Sequence, residues 1–91
     1  MIPRRVVILG REYPIRRTRM PSAGMCDFSA GVIWLRSGLK GSDADATLLH
    51  ESVHAVLHES GLHFNWTDEF TESVVRALEH GLFRAGYKLG E

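Results

Sequence analysis

Five consecutive residues, His50-Glu51-Ser52-Val53-His54, have the types and spacing of a hydrolytic metal centre. On a helix four residues advance about 400°, so the two imidazoles project from one face about one turn apart and can converge on a single cation. Glu51 lies about 100° around from His50, beside the ion and not under it. A base that takes a proton from metal-activated water, without itself ligating the metal, is needed at that place. Zinc is the expected cation, because imidazole and carboxylate ligands suit it and it lowers the pKa of a bound water towards ~7. The competing reading is two core histidines beside a surface acid. The position of the motif inside a capped helix favours the metal.

Two histidines do not complete a catalytic zinc site, which needs three protein ligands and one open position. The pattern that adds a glycine and a third histidine further along fails here, since Leu57 and Ser60 occupy those places. His58 lies ~6 Å further along the helix axis than His54 and reads as a helix-end histidine favoured by the dipole. His63 follows the Gly61 turn and could fold back. A second helix offers better candidates, for Glu69, Glu72, Arg76 and Glu79 recur at i, i+3, i+7 and i+10 on one stripe. Glu72 sits mid-face, close to Phe70 and Val74, where it can point at the seam between helices. It is the expected third ligand, with Glu69 in the first turn as the alternative. The bland reading of Glu72 is an ion pair with Arg76, worth ~0.3 kcal/mol.

The elements that must position these groups are legible as patterns. Val6–Leu9 is an apolar strand, and Gly10-Arg11 is a two-residue turn with glycine first, suited to a type II′ hairpin. Tyr13–Thr18 returns as an arginine-rich strand, and Pro14 puts it at a sheet edge. After the Pro21–Gly24 loop, Met25–Phe28 and Val32–Leu35 pair around Ser29-Ala30-Gly31. Ser42 caps a helix from about Ala44 to Ser60, which Gly61 ends, with Leu49, Val53, Val56 and Ser60 on its buried face. Thr67 caps a second helix with a core stripe of Phe70, Val74, Ala77/Leu78 and Leu82, which Gly86 ends. The expected class is α+β in a single domain over residues 1–91. Small antiparallel hairpins or a sheet fill about 5–36, the histidine-bearing helix about 43–60, and a second helix packed on it about 67–85.

A chain of 91 residues and 10.2 kDa has room for one small core. With 44% hydrophobic and 24% charged residues it is not a disordered chain. Cys26 is the only cysteine, so an internal disulfide is excluded, and a metal or self-association is left as extra support. Cys26 itself reads as a small buried hydrophobe in a strand. The longest aliphatic run, Val6-Val7-Ile8-Leu9, is too short for a membrane span or a secretion signal, so a soluble protein of the cytoplasm is expected. Residues 1–40 carry eight Lys/Arg against two acids, +6, and residues 41–91 carry three against nine, −6. In a chain of zero net charge the two halves are expected to complement each other, which argues against nucleic acid as a partner. The feature on the other side is the group Arg4, Arg5, Arg11, Arg16, Arg17 and Arg19, four of which fit along one hairpin.

Gly24–Phe28, Val32–Leu35 and Thr47–Leu62, continuing through Asp68–Val75, Ala77-Leu78 and Gly81-Leu82, resemble small phage and prophage proteins of the minimal gluzincin type. These are relatives of the SprT-like and ImmA/IrrE-like metallopeptidase domains, and the resemblance covers roughly residues 6–85. It implies zinc, a peptide or protein substrate, and an edge strand at Val32–Leu35 that aligns the peptide by strand addition. It implies His50, His54 and Glu72 as ligands, Glu51 as general base, and host cytoplasm for a phage-encoded protein. Unlike larger gluzincins, this sequence shows no C-terminal subdomain to close a cleft. It has no histidine or tyrosine at a family position for the oxyanion, leaving Tyr87, His80 and Arg76 as candidates. The expected function is a zinc-dependent metallopeptidase of narrow specificity. A non-catalytic, zinc-stapled binding or regulatory module is the alternative, and a nucleic-acid-binding protein ranks third.

Overall fold

A computed structural model describes residues 2–62 and 65–84, without the side chains of Phe83 and Arg84. The chain forms β1 (Arg5–Ile8), β2 (Arg11–Thr18), β3 (Gly24–Asp27) and β4 (Val32–Arg36), then α1 (Gly41–Ser60) and α2 (Asp68–Arg84). Strands precede helices, and the class is α+β. The expected helix end at Gly86 lies outside the described residues.

The four strands form one sheet in the order β1-β2-β4-β3. β1/β2 and β3/β4 are antiparallel, but β2 and β4 run parallel, so the sheet is mixed and not a set of antiparallel hairpins. Two expectations are corrected here. β2 is internal despite Pro14, and β4 (Val32–Arg36) is internal too, so Val32–Leu35 is no edge strand. The edges are β1 and β3. Pro14 is tolerated because β2 changes partners around it. It pairs with Arg5 on β1, while the β4 register starts only at Ile15. The Ile15 N–H bonds the Arg4 carbonyl on the β1 side, so by alternation the missing Pro14 donor faces the β4 side, where no bond is made.

The first turn also differs from expectation. Ile8 pairs directly with Arg11, so the loop is Leu9-Gly10, with φ 48 and 85. Both residues are left-handed, which is a type I′ loop and not a II′ turn over Gly10-Arg11. Leu9 has no side-chain reason to adopt αL and is 67% exposed. We expect Leu9→Asn to raise stability by about 1 kcal/mol, read as a higher urea midpoint.

α1 is the central layer. Its N-cap is Lys40, without a side-chain cap, and Ser42 falls inside the first turn; Gly61 ends it in the αL conformation. The predicted buried face was too narrow, since α1 is buried on two sides. Leu48 and Ala55 join Ile8, Tyr13, Ile33 and Leu35 against the sheet, while Leu49, Val53 and Leu57 meet Val75 of α2. Val56 is 40% exposed and Ser60 is also exposed, so both drop out of the predicted face. Tyr13 is fully buried, and its hydroxyl donates to Glu59 Oε1. Arg11 donates to the same oxygen at 2.9 Å and to the Phe28 carbonyl at 2.8 Å. These bonds hold Glu59 below the usual carboxylate range and fasten the end of α1 to β2.

On α2, Thr67 Oγ1 accepts the Phe70 N–H, as expected of a cap. The core stripe is turned from the predicted one. Val75 is fully buried and Leu82 partly so, whereas Phe70 and Leu78 are 51% and 46% exposed. The face towards α1 is Glu72, Val75, Glu79 and Leu82, so carboxylates occupy places that aliphatic residues usually fill.

Candidate metal centre

His50 and His54 project from α1 with ring centroids 5.0 Å apart. Opposite them, α2 presents Glu72, whose Oε1 lies 2.7 Å from His54 Nε2 and whose Oε2 lies 3.7 Å from His50 Nε2. One ligand atom from each of the three residues falls within 4.8 Å of the others, a grouping that could hold a metal ion. The donor set suits such an ion. Bond lengths of about 2.1 Å put the donors of a tetrahedral site about 3.4 Å apart, and the two His–Glu72 separations straddle that value.

Glu79 was not assigned a role from the sequence, although it shares the stripe of Glu72. Its Oε2 lies 3.1 Å from His50 Nδ1. With a proton on Nδ1 donated to Glu79, the Nε2 lone pair of His50 is left facing Glu72 and His54, the tautomer a metal ligand needs. The signal in the sequence was the seven-residue spacing from Glu72 to Glu79, two helical turns. Arg76 Nε lies 3.9 Å from Glu72 Oε2, on a side chain that is 71% exposed.

Glu51 is 8% exposed and lies outside the group of three ligands. Its pKa is pushed up to about 7, chiefly by burial, with the charges of Glu72 and Glu79 acting in the same direction. His50 and the Cys26 backbone N–H oppose the shift. A carboxyl poised near neutrality can both take and return a proton.

β3 passes directly over this helix because of Gly24. A Cβ there would meet Thr47 Cγ2 at 2.6 Å, the Trp34 carbonyl oxygen at 2.9 Å and Glu51 Cγ at 3.3 Å. Gly24→Ala is therefore expected to destabilise the fold by about 1–3 kcal/mol, through displacement of β3 from α1, read as a lower thermal midpoint. The Arg36 N–H bonds the Ala23 carbonyl, so the alternation of an antiparallel pair turns the backbone groups of Met25 and Asp27 towards β4. Those of Gly24 and Cys26 face away from β4, beside the site, where the Cys26 N–H meets Glu51 and the Gly24 carbonyl accepts from Ser22 Oγ at 3.2 Å.

Three recesses join along that edge. One of about 320 Å³ lies between Ser22–Gly24 and His50, Glu51 and Glu79. The next, about 370 Å³, holds His50, Glu51, His54 and Glu72 under Gly24–Cys26. The third, about 300 Å³, is walled by Phe28, Leu57 and Trp66 next to His54 and Glu72.

The remaining candidates fall outside the group. Glu69 is exposed at the start of α2 and His80 is exposed near its end. His58 is stacked on Phe28 at 4.1 Å. His63 and Tyr87 lie outside the described residues. Cys26 is only partly buried, but burial first and the charge of Glu51 second push its thiol up to about 12, and a protonated thiol is a poor ligand. Ser52, inside the motif, is buried with an Oγ that has no hydrogen-bond partner among the described residues. Ser52→Ala should stabilise the protein by about 1 kcal/mol in thermal melts, by removing that unpaired hydroxyl.

Comparison of the chain with known protein families, with curated proteins and with solved structures returns no match. No helix among the described residues is long and apolar enough to cross a membrane.

Proposed function

We propose that this protein is a zinc-dependent peptidase of gluzincin type, narrow in specificity. His50, His54 and Glu72 hold the ion, and Glu79 orients His50. Zinc in that place supplies Lewis-acid polarisation of a carbonyl and acidifies water to near neutrality. Glu51 takes the proton of the attacking water on its carboxylate and returns it to the leaving nitrogen as the peptide bond breaks. The substrate backbone lies along the outer edge of β3, in place of the β4 edge that the resemblance implied, and displaces the Ser22 hydroxyl from the Gly24 carbonyl and Glu51 from the Cys26 N–H as it pairs. One neighbouring substrate side chain enters the recess that Phe28, Leu57 and Trp66 share with Asp68 and Thr71.

The observation that carries this reading is the pairing of a three-donor group with a separate, buried carboxyl. A purely structural site has no use for Glu51, whose burial is a cost without the chemistry. The second reading, a zinc-stapled binding module, draws on the small size of the core and on α2 packing against α1 alone. A degenerate peptide library incubated with zinc-loaded protein separates the two readings. New amino termini, counted by mass spectrometry, should appear with the wild type and not with Glu51→Gln. Equal cleavage by both proteins, or cleavage by neither, removes the peptidase reading.

A further inference from the structure

The face of the sheet turned away from α1 carries no described element. Ile8, Tyr13, Ile33, Leu35 and Cys26 point inward, so alternation sends Arg5, Glu12, Arg16, Met25, Asp27, Trp34 and Arg36 outward, with Arg5 Nε 3.6 Å from Glu12 Oε1. Registers align Arg16 with Trp34 on one side and Met25 with Trp34 on the other. The half-buried Trp34 ring is thus at the middle of an open face, with Arg16 one strand away and Arg36 two residues along its own strand.

The charges have separated with the layers. All eight described carboxylates beyond residue 40 lie on α1 and α2, and the basic half of the chain forms the sheet and its loops. The two halves do pack together as sheet on helix, but few of their charges pair directly. Arg11 pairs with Glu59 between sheet and helices. Arg4, Arg16, Arg17, Arg19, Arg36 and Lys40 have no carboxylate partner among those residues. Arg36 reaches only the Pro21 carbonyl, at 3.5 Å. Zero net charge hides a bipolar protein with one cationic side.

We propose that this outer face binds single-stranded nucleic acid, with Trp34 stacking on an unpaired base and Arg16 and Arg36, which have no carboxylate partner among the described residues, contacting the flanking phosphates. A flat face with a central indole suits an exposed base, which a duplex does not present. Interleaved guanidinium groups suit a repeating anion. The proposal is independent of the metal centre, which lies across α1 on the opposite side of the sheet.

The test is fluorescence anisotropy of a labelled twelve-nucleotide dT strand with the full chain, between low and moderate salt. Affinity should fall with salt at a log–log slope of about −1.4, from ~0.7 per phosphate neutralised by two arginines. It should exceed the affinity for a duplex. Arg16→Glu, an exposed position, and Trp34→Leu should each weaken binding about tenfold, with circular dichroism unchanged for Arg16→Glu. In a Trp66→Phe background Trp34 is the single indole, and its emission should be quenched on binding. No binding at low salt overturns the proposal, as does binding indifferent to Arg16→Glu. Capture by phosphatidylserine vesicles without affinity for the oligonucleotide also overturns it, in favour of a membrane surface.

Discussion

Glu51→Gln is expected to retain the metal and to lose hydrolysis by about 10²–10⁴-fold, the range for removal of a general base. The same change should stabilise the metal-free protein above neutral pH. Glu51 titrates at about 7 in the folded chain against an ordinary 4.5, so folding favours its protonated form. A carboxyl of this kind stabilises fully below about 4.5, and its contribution is lost as pH rises through about 7. Metal-free wild type should therefore lose stability across that window, and the glutamine variant should not lose this component. At pH 8 the difference should be on the order of 3 kcal/mol, measured by urea denaturation in chelator. Full cleavage by a metal-replete Glu51→Gln protein would falsify the role given to Glu51. A metal-free wild type with flat stability between pH 5 and 8 contradicts the burial of Glu51 beside other carboxyl groups.

The second large effect is expected on removal of the metal. In the absence of a cation, the carboxyl groups of Glu51, Glu72 and Glu79 share one seam, offset only in part by the contacts of His50 with Glu79 and of His54 and Arg76 with Glu72. Zinc held at about 1,000 times its Kd should add about 4 kcal/mol, which for a domain of this size means a melting temperature about 15–30 °C higher than in chelator. Glu72→Ala should abolish most of that difference and Glu69→Ala should leave it intact, with metal content by atomic absorption following the same order. Identical melting curves with zinc and with chelator, or zinc retained at wild-type affinity by Glu72→Ala, contradict the proposed ligand set.

The helices were easier to read than the sheet because helical signals are local. Gly61 and Thr67 mark helix ends through their own backbone and side-chain chemistry, and both act as caps in the folded chain. The partner of a strand depends on residues far along the chain, and nothing within Tyr13–Thr18 announces that β4 will join it in parallel. Pro14 misled for the same reason, since it forbids one hydrogen bond and not a central position. The error on α2 was different in kind. Hydrophobicity was used to choose the buried face, but that face carries Glu72 and Glu79 because it faces histidines. Where a site replaces core, the apolar pattern points away from the functional side. His50, Glu51 and His54 were legible because one turn of helix suffices to define their geometry. Glu79 was not, because its role exists only when two helices are packed together.

α2 touches the other described elements through α1 alone, across a thin apolar seam of Leu49, Val53, Leu57 and Val75. Glu72 and Glu79 are therefore carried on the least anchored arm of the molecule. The cation proposed above would bridge that arm to α1, so the site would also serve as a clasp between the two helices.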